Sequence, residues 1–199
     1  MIIGVDFDNT IISYDYVFHK LASECGLIPS TVSKNKTAVR DFLREIGKED
    51  AWTELQGKAY GPSIQLAIPF ANVLEFFRKA EQLGHQTYIV SHKTKFPYAG
   101  EKYDLHQSAL NWLLREKFID APDQLGKTLF FENTKEKKLN RINQLKCDWF
   151  IDDLPEFLNL PEFSSIVTRC LFDPFDCHIS YVTGPRCSNW SEISEKALG

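Results

Sequence analysis

From residue 73 onward the chain alternates between helical apolar stripes and short runs that are apolar almost throughout. Val73, Leu74, Phe76, Phe77, Ala80 and Leu83 mark a helix that Gly84 ends, and 86–90 is a run of β-formers. Leu105, Ala109, Leu110, Leu113 and Leu114 stripe a helix over 105–118. A strand over 128–131, a helix striped by Leu139, Ile142 and Leu145, and a strand over 149–151 follow. A short helix over 155–160 and a strand over 166–172 end the series. Strands apolar on both faces need cover on both faces, and strands separated by helices pair in parallel. The pattern therefore predicts an α/β fold, a doubly wound parallel sheet.

The first strand, over 2–7, stands apart from that series. Three helical stripes intervene before the second strand. Tyr14, Val17, Phe18, Leu21, Ala22 and Cys25 form the first, stopped by Gly26; Val39, Phe42, Leu43 and Ile46 the second, stopped by Gly47. Trp52, Leu55, Ala59 and Tyr60 form the third, ended by Gly61-Pro62. These helices predict an inserted lobe over 12–66, with 1–11 and 67–199 as the α/β core. Trp52, Gln56 and Tyr60 share one face of the third helix, and the two aromatics read as lobe core.

Charge narrows the partners. With 23 basic and 27 acidic residues the net charge is −4, which argues against a nucleic-acid or anionic-membrane surface. The longest apolar stretch, 66–77, is broken by Pro69, Asn72 and Glu75, well short of the roughly 18 residues a membrane span needs. The opening MIIGVDFDNT has an acid at position 6 and no basic flank, so it does not read as a signal peptide. Five cysteines (25, 147, 170, 177, 187), odd in number and without a CxxC pair, predict reduced thiols and a cytoplasmic protein. Cys170, Cys177, His178 and Cys187 match no recurrent zinc spacing.

Ligands of parallel α/β sheets bind at the carboxyl ends of the strands. Here the first strand ends Asp6-Phe7-Asp8-Asn9-Thr10, the second Ser91-His92-Lys93, and that over 149–151 ends Asp152-Asp153. Alternation puts Asp6 and Asp8 on one side of their strand and Phe7 on the other. The same rule turns Asp153 away from Asp152 if the strand persists. Converging carboxylates repel unless some are protonated or a cation sits among them. With oxygen donors alone, that cation is expected to be a hard one, Mg²⁺. A hydroxyl and a lysine at the same rim suit a phosphoryl group.

DFDNT, SHK, the lysine-rich helix start TKEKKL and IDDLPE, in that order, resemble the four motifs of the haloacid dehalogenase-like hydrolase superfamily, over roughly 1–11 and 67–172. The helical insertion resembles that superfamily's small cap. A bacterial subgroup of unassigned phosphatase-like hydrolases is similar from Trp52 through FIDDLPEF, and brings no substrate with it. The resemblance implies Asp6 as the nucleophile that forms an aspartyl-phosphate and Asp8 as general acid/base, an acid that members acting on C–halogen bonds lack. It implies Ser91 and Lys138 on the phosphoryl oxygens, and Mg²⁺ at Asp6, the Asp8 carbonyl, Asp152 and Asp153. Asn9, Thr10 and His92 are expected as further phosphate or substrate contacts. Lys138 fits the subgroup's pattern better than Lys135, although Lys137 precedes it where the pattern has Glu.

The function expected is a Mg²⁺-dependent phosphatase acting on a small phosphorylated metabolite. A phosphotransferase or mutase would use the same chemistry. A phospho-receiver carries its acidic pair and phosphoacceptor on different strands and has no cap. A DxD glycosyltransferase places its motif after a nucleotide-binding half. The DxD at position 6 argues against both.

Overall fold

The computed structural model describes residues 1–178, 180–181 and 183–199. The chain divides into an α/β unit (Met1–Ile12, Pro69–Lys93, Lys117–Gly199) and a helical unit (Ser13–Ile68, Thr94–Glu116).

In chain order the strands are β1 (Ile2–Val5), β2 (Ile12–Ser13), β3 (Ile68–Pro69), β4 (Gln86–His92), β5 (Leu129–Glu132), β6 (Trp149–Asp152), β7 (Thr168–Phe172) and β8 (Arg186–Cys187). Short β2 and β3 pair as a small sheet of their own. The other six form a parallel sheet ordered β5-β4-β1-β6-β7-β8. β1 lies inside it between β4 and β6, and the order reverses there. That switch point is where a ligand crevice forms in such sheets. The helices of this unit are α4 (Val73–Gln82), α6 (Lys135–Leu145), α7 (Pro155–Leu158) and α8 (Trp190–Leu198). Each turns its apolar side inward, as with Val73, Phe76, Phe77 and Ala80 of α4.

Gly4 shows how closely the central strands pack. It is in register with Phe150 of β6, and a Cβ there would lie 2.7 Å from the Phe150 ring and 3.1 Å from the Cys147 sulfur. Phe150 is fully buried, so the ring has nowhere to go. Gly4→Ala is expected to cost about 1–3 kcal/mol by overpacking, read as a lower urea midpoint at unchanged m-value.

The helical unit contains α1 (Asp15–Glu24), α2 (Lys36–Glu45), α3 (Glu49–Tyr60) and α5 (Leu105–Arg115), with a 3₁₀ turn at Pro62–Leu66. Its core is aromatic: Phe18 stacks on Trp52 with centroids 4.7 Å apart, and Tyr14 meets Tyr60 edge-on at 4.8 Å. The sequence boundary assigned 94–116 to the α/β core; in the structure that segment packs with the helical unit. The buried Trp112 donates its indole N–H to the Ala67 carbonyl at 3.0 Å, and Arg115 donates to the Gln65 carbonyl at 2.9 Å. An apolar stripe says that a helix is buried, not against which neighbour, so alternation alone misplaced it.

β8 and α8 lie beyond the last strand expected. α8 went unread although its signal was present: Asn189 caps it by accepting from the Glu192 N–H, and Trp190, Ile193 and Ala197 follow at helical spacing. Among the described residues no helix is long and apolar enough to cross a membrane.

Candidate active site

The site is built wholly within the α/β unit, at the carboxyl ends of β1, β4 and β6. The Asp6 N–H donates to the Ile151 carbonyl at 2.9 Å, extending the β1–β6 ladder one residue. This fixes Asp6 beside Asp152, the last residue of β6. Asp6 and Asp152 are buried, at 5% and 0% exposure.

Lys138 lies between them. Thr134 caps α6 by accepting from the Lys137 N–H at 3.1 Å. The first turn of α6 then carries Lys138 inward, 3% exposed, over the Phe157 ring at 4.4 Å from its centroid. Its ammonium lies 2.6 Å from Asp6 Oδ1 and 2.6 Å from Asp152 Oδ2. Lys135, the alternative, is exposed and lies 3.6 Å from Glu156; Lys137 is also exposed.

Asp153 corrects one expectation. Strand alternation turned it away from Asp152, but β6 ends at Asp152 and the alternation stops with it. Carboxylate oxygens of Asp6, Asp152 and Asp153 all lie within 4.8 Å of one another. Asp152 Oδ1 accepts from the Leu154 N–H at 2.9 Å, which helps to fix that turn. The buried Thr10 hydroxyl lies 3.5 Å from Asp153, and its carbonyl accepts the Trp190 indole N–H at 3.1 Å.

Asp8 is half-buried, 2.9 Å from the Lys93 ammonium. Ser91 is buried at the end of β4. Asn9 adopts the left-handed conformation (φ 60°) and donates its N–H to the Ile12 carbonyl at 2.9 Å, making the tight turn after the acids. Its small polar side chain tolerates that conformation. His92 follows the strand alternation to the other side from Ser91. Its Nε2 lies 3.3 Å from the Asn133 carbonyl, and burial holds its pKa below the ordinary value. The structure thus brings Asp6, Lys138, Asp152 and Asp153 together, with Asp8 paired to Lys93, and ties His92 to backbone.

Lys93 is the residue that sequence reasoning underrated, as a rim charge. It is 4% exposed. Its N–H donates to the Glu132 carbonyl at 2.9 Å, so the β4–β5 ladder runs on past the strand end. The signal was available: the period of two that selects Ser91 also selects Lys93.

The electrostatics follow from this packing. Burial pushes the Asp6 carboxyl up to about 7, with Asp152 and Asp8 adding repulsion against the pull of Lys138. Burial lowers Lys138, but Asp152 and Asp6 outweigh it and hold the ammonium above the ordinary lysine range. Asp6 and Asp152 share the Lys138 ammonium, Asp153 lies beside them, and Lys93 pairs with Asp8. Cys170 and Cys187 touch at 3.9 Å as buried free thiols, and Cys177 is an exposed one. Among the described residues, the group able to hold a metal is Asp6, Asp152 and Asp153.

No protein-family model matches the chain. A curated protein of Bacillus cereus named "Putative nucleotidase" is 23% identical over 200 residues, spanning 96% of this chain and 95% of that one. A structure described as a "predicted phosphoglycolate phosphatase" from Haemophilus somnus 129PT superposes with TM-score 0.60 at 11% identity, over 99% of this chain and 97% of that one. A haloacid dehalogenase family hydrolase of Deinococcus radiodurans R1, solved with bound phosphate and sodium, gives TM-score 0.57 at 12% identity, over 98% and 94%. At such identities the likeness is one of fold, and it runs the length of the chain. The fold is thus similar to that of haloacid dehalogenase family hydrolases.

Proposed function

We propose that the chain is a Mg²⁺-dependent phosphatase that hydrolyses a small phosphorylated metabolite through an aspartyl-phosphate on Asp6. The observation that carries this reading is the buried Asp6–Lys138–Asp152 cluster, short of positive charge at the switch point of the sheet. Its donors are hard oxygens close enough to share one ion, so the residues fit Mg²⁺. Asp6, Asp152 and Asp153, with the Asp8 carbonyl, would hold it, and when bound it neutralises charge on the phosphoryl oxygens.

In the first half-reaction an Asp6 oxygen bonds to phosphorus as the bond from phosphorus to the leaving oxygen breaks. Asp8 delivers a proton to that oxygen. In the second, water attacks phosphorus, gives its proton to Asp8, and the bond from Asp6 to phosphorus breaks. Ser91 and the Lys138 ammonium orient the phosphoryl oxygens through both. The helical unit is assigned the role of a cap that restricts substrates to small molecules, on the strength of its insertion straight after the nucleophile strand. The enzyme acts in the cytoplasm, where its five free thiols stay reduced.

The test is phosphate release from a panel of sugar phosphates, phosphoglycolate and nucleoside monophosphates, the last suggested by the Bacillus cereus relative. Release with Mg²⁺ and none in EDTA is expected; no release from any member contradicts the reading. Mg²⁺ at a hundredfold excess over its Kd should stabilise the fold by about 2.7 kcal/mol. Asp152→Ala should abolish that gain. A wild-type melting temperature indifferent to millimolar Mg²⁺ would count against the metal site.

A further inference from the structure

We infer that Lys93 is a positioning residue for the reaction, a clamp on the side chain of Asp8. The inference rests on the phosphatase reading, in which Asp8 moves the proton, and gives a role to Lys93, the last residue of the SHK segment, to which the resemblance assigns none.

The observations are local. Lys93 Nζ lies 3.1 Å from Asp8 Oδ1 and 2.9 Å from Oδ2, so the ammonium straddles the carboxylate rather than touching one corner. The lysine side chain is 3% exposed and the aspartate 19%. Burying a lysine away from water is unfavourable without a partner, so a lysine at this depth is held in place by its pair. The backbone removes further freedom. The bond from Lys93 N–H to the Glu132 carbonyl fixes it to β5, and the ammonium rests 5.5 Å from the Phe7 ring centroid. Phe7 is fully buried between Asp6 and Asp8 in sequence. The base of the clamp is therefore rigid, and the moving part is the Asp8 side chain.

Asp8 has a demanding task in the proposed cycle. It meets the leaving oxygen in one half-reaction and water in the other, while its own backbone carbonyl serves the metal. An aspartate that solvent reaches from one side samples several rotamers when nothing holds it, and proton transfer falls off steeply when the donor is misplaced. Holding both oxygens from one side restricts the carboxylate to the rotamers from which it reaches the reacting oxygen. Lys138 does not serve Asp8 in this way; its ammonium is taken by Asp6 and Asp152. The two lysines thus divide the labour, one on the nucleophile and metal side and one on the acid/base side.

The test is a double-mutant cycle on the best substrate of the panel. Lys93→Met should lower kcat by about 10- to 100-fold, within the range that general acid/base catalysis supplies, with KM changed by less than about threefold. Lys93→Arg, which keeps the charge, should restore most of the loss. In an Asp8→Asn background Lys93→Met should change kcat by less than about threefold, because the clamp has nothing left to hold. If Lys93→Met fails to fold, Lys93→Gln with and without Asp8→Asn carries the same comparison. The Mg²⁺-induced rise in melting temperature should survive Lys93→Met, since the clamp holds the Asp8 side-chain oxygens and not the backbone carbonyl that would serve the metal. A kcat within threefold of wild type, a loss confined to KM, or an equal loss in the Asp8→Asn background would each overturn the clamp. Failure of the wild type to turn over or to respond to Mg²⁺ would instead overturn the phosphatase reading, so the two failures are separable.

Discussion

Asp6→Asn is expected to lower turnover by at least about a thousandfold while leaving the fold intact. The amide is nearly the same size as the carboxylate, and its oxygen can still accept from Lys138, now 2.6 Å from Asp6 Oδ1. What it cannot do is form an acyl-phosphate that water then clears. The variant should also be at least as stable as wild type in EDTA above neutral pH. Burial, with repulsion from Asp152 and Asp8, pushes the Asp6 carboxyl up to about 7 against the pull of Lys138. An acid whose folded pKa is raised favours folding while protonated and opposes it as pH climbs through the folded value. Removing its charge relieves that opposition. Initial rates and paired thermal melts at pH 8 check both halves. A variant with more than a few per cent of wild-type rate would contradict the nucleophile assignment.

Lys138→Met should destabilise the metal-free protein by about 3–5 kcal/mol, the usual consequence of removing one partner from a buried ion cluster. The ammonium is almost fully buried between two carboxylates that would be left facing each other. Because Lys138 is held above its ordinary value of 10.5, its contribution is fully present at neutral pH. It is lost only as pH rises beyond the ordinary lysine range. Urea unfolding in EDTA at pH 7.5 measures the loss, and Mg²⁺ should recover more stability in this variant than in wild type. Lys135→Met, on the same helix but exposed at its Glu156 contact, should move stability by less than about 0.5 kcal/mol. Equal effects from the two substitutions would remove Lys138 from the cluster.

The sheet was legible because its strands are short, apolar on both faces and separated by striped helices, and that combination fits few arrangements. Asp6, Asp8, Ser91 and Asp152 were legible as polar residues ending such strands. Other features depended on information that periodicity lacks. Membership of α5 in the helical unit rests on Trp112 reaching Ala67, a contact 45 residues apart. The position of Asp153 depends on where β6 stops, and strand ends are the least determined part of any pattern. Lys93 was hidden for a different reason. A lysine at a loop start is usually solvated, and only the continuation of the β4–β5 ladder past His92 shows it buried. Two-residue β8 carries too little pattern to be read at all.

The central claim is a covalent phosphoryl group on Asp6, and it can be tested directly. Enzyme mixed with its best substrate and Mg²⁺, quenched in acid within a turnover and digested, should yield one peptide heavier by a phosphoryl group. That peptide should contain Asp6, and hydroxylamine should release the group, as an acyl-phosphate requires. Asp6→Asn should give none. A phosphoryl group on any other residue, or turnover with no phosphorylated intermediate at any quench time, would contradict the account.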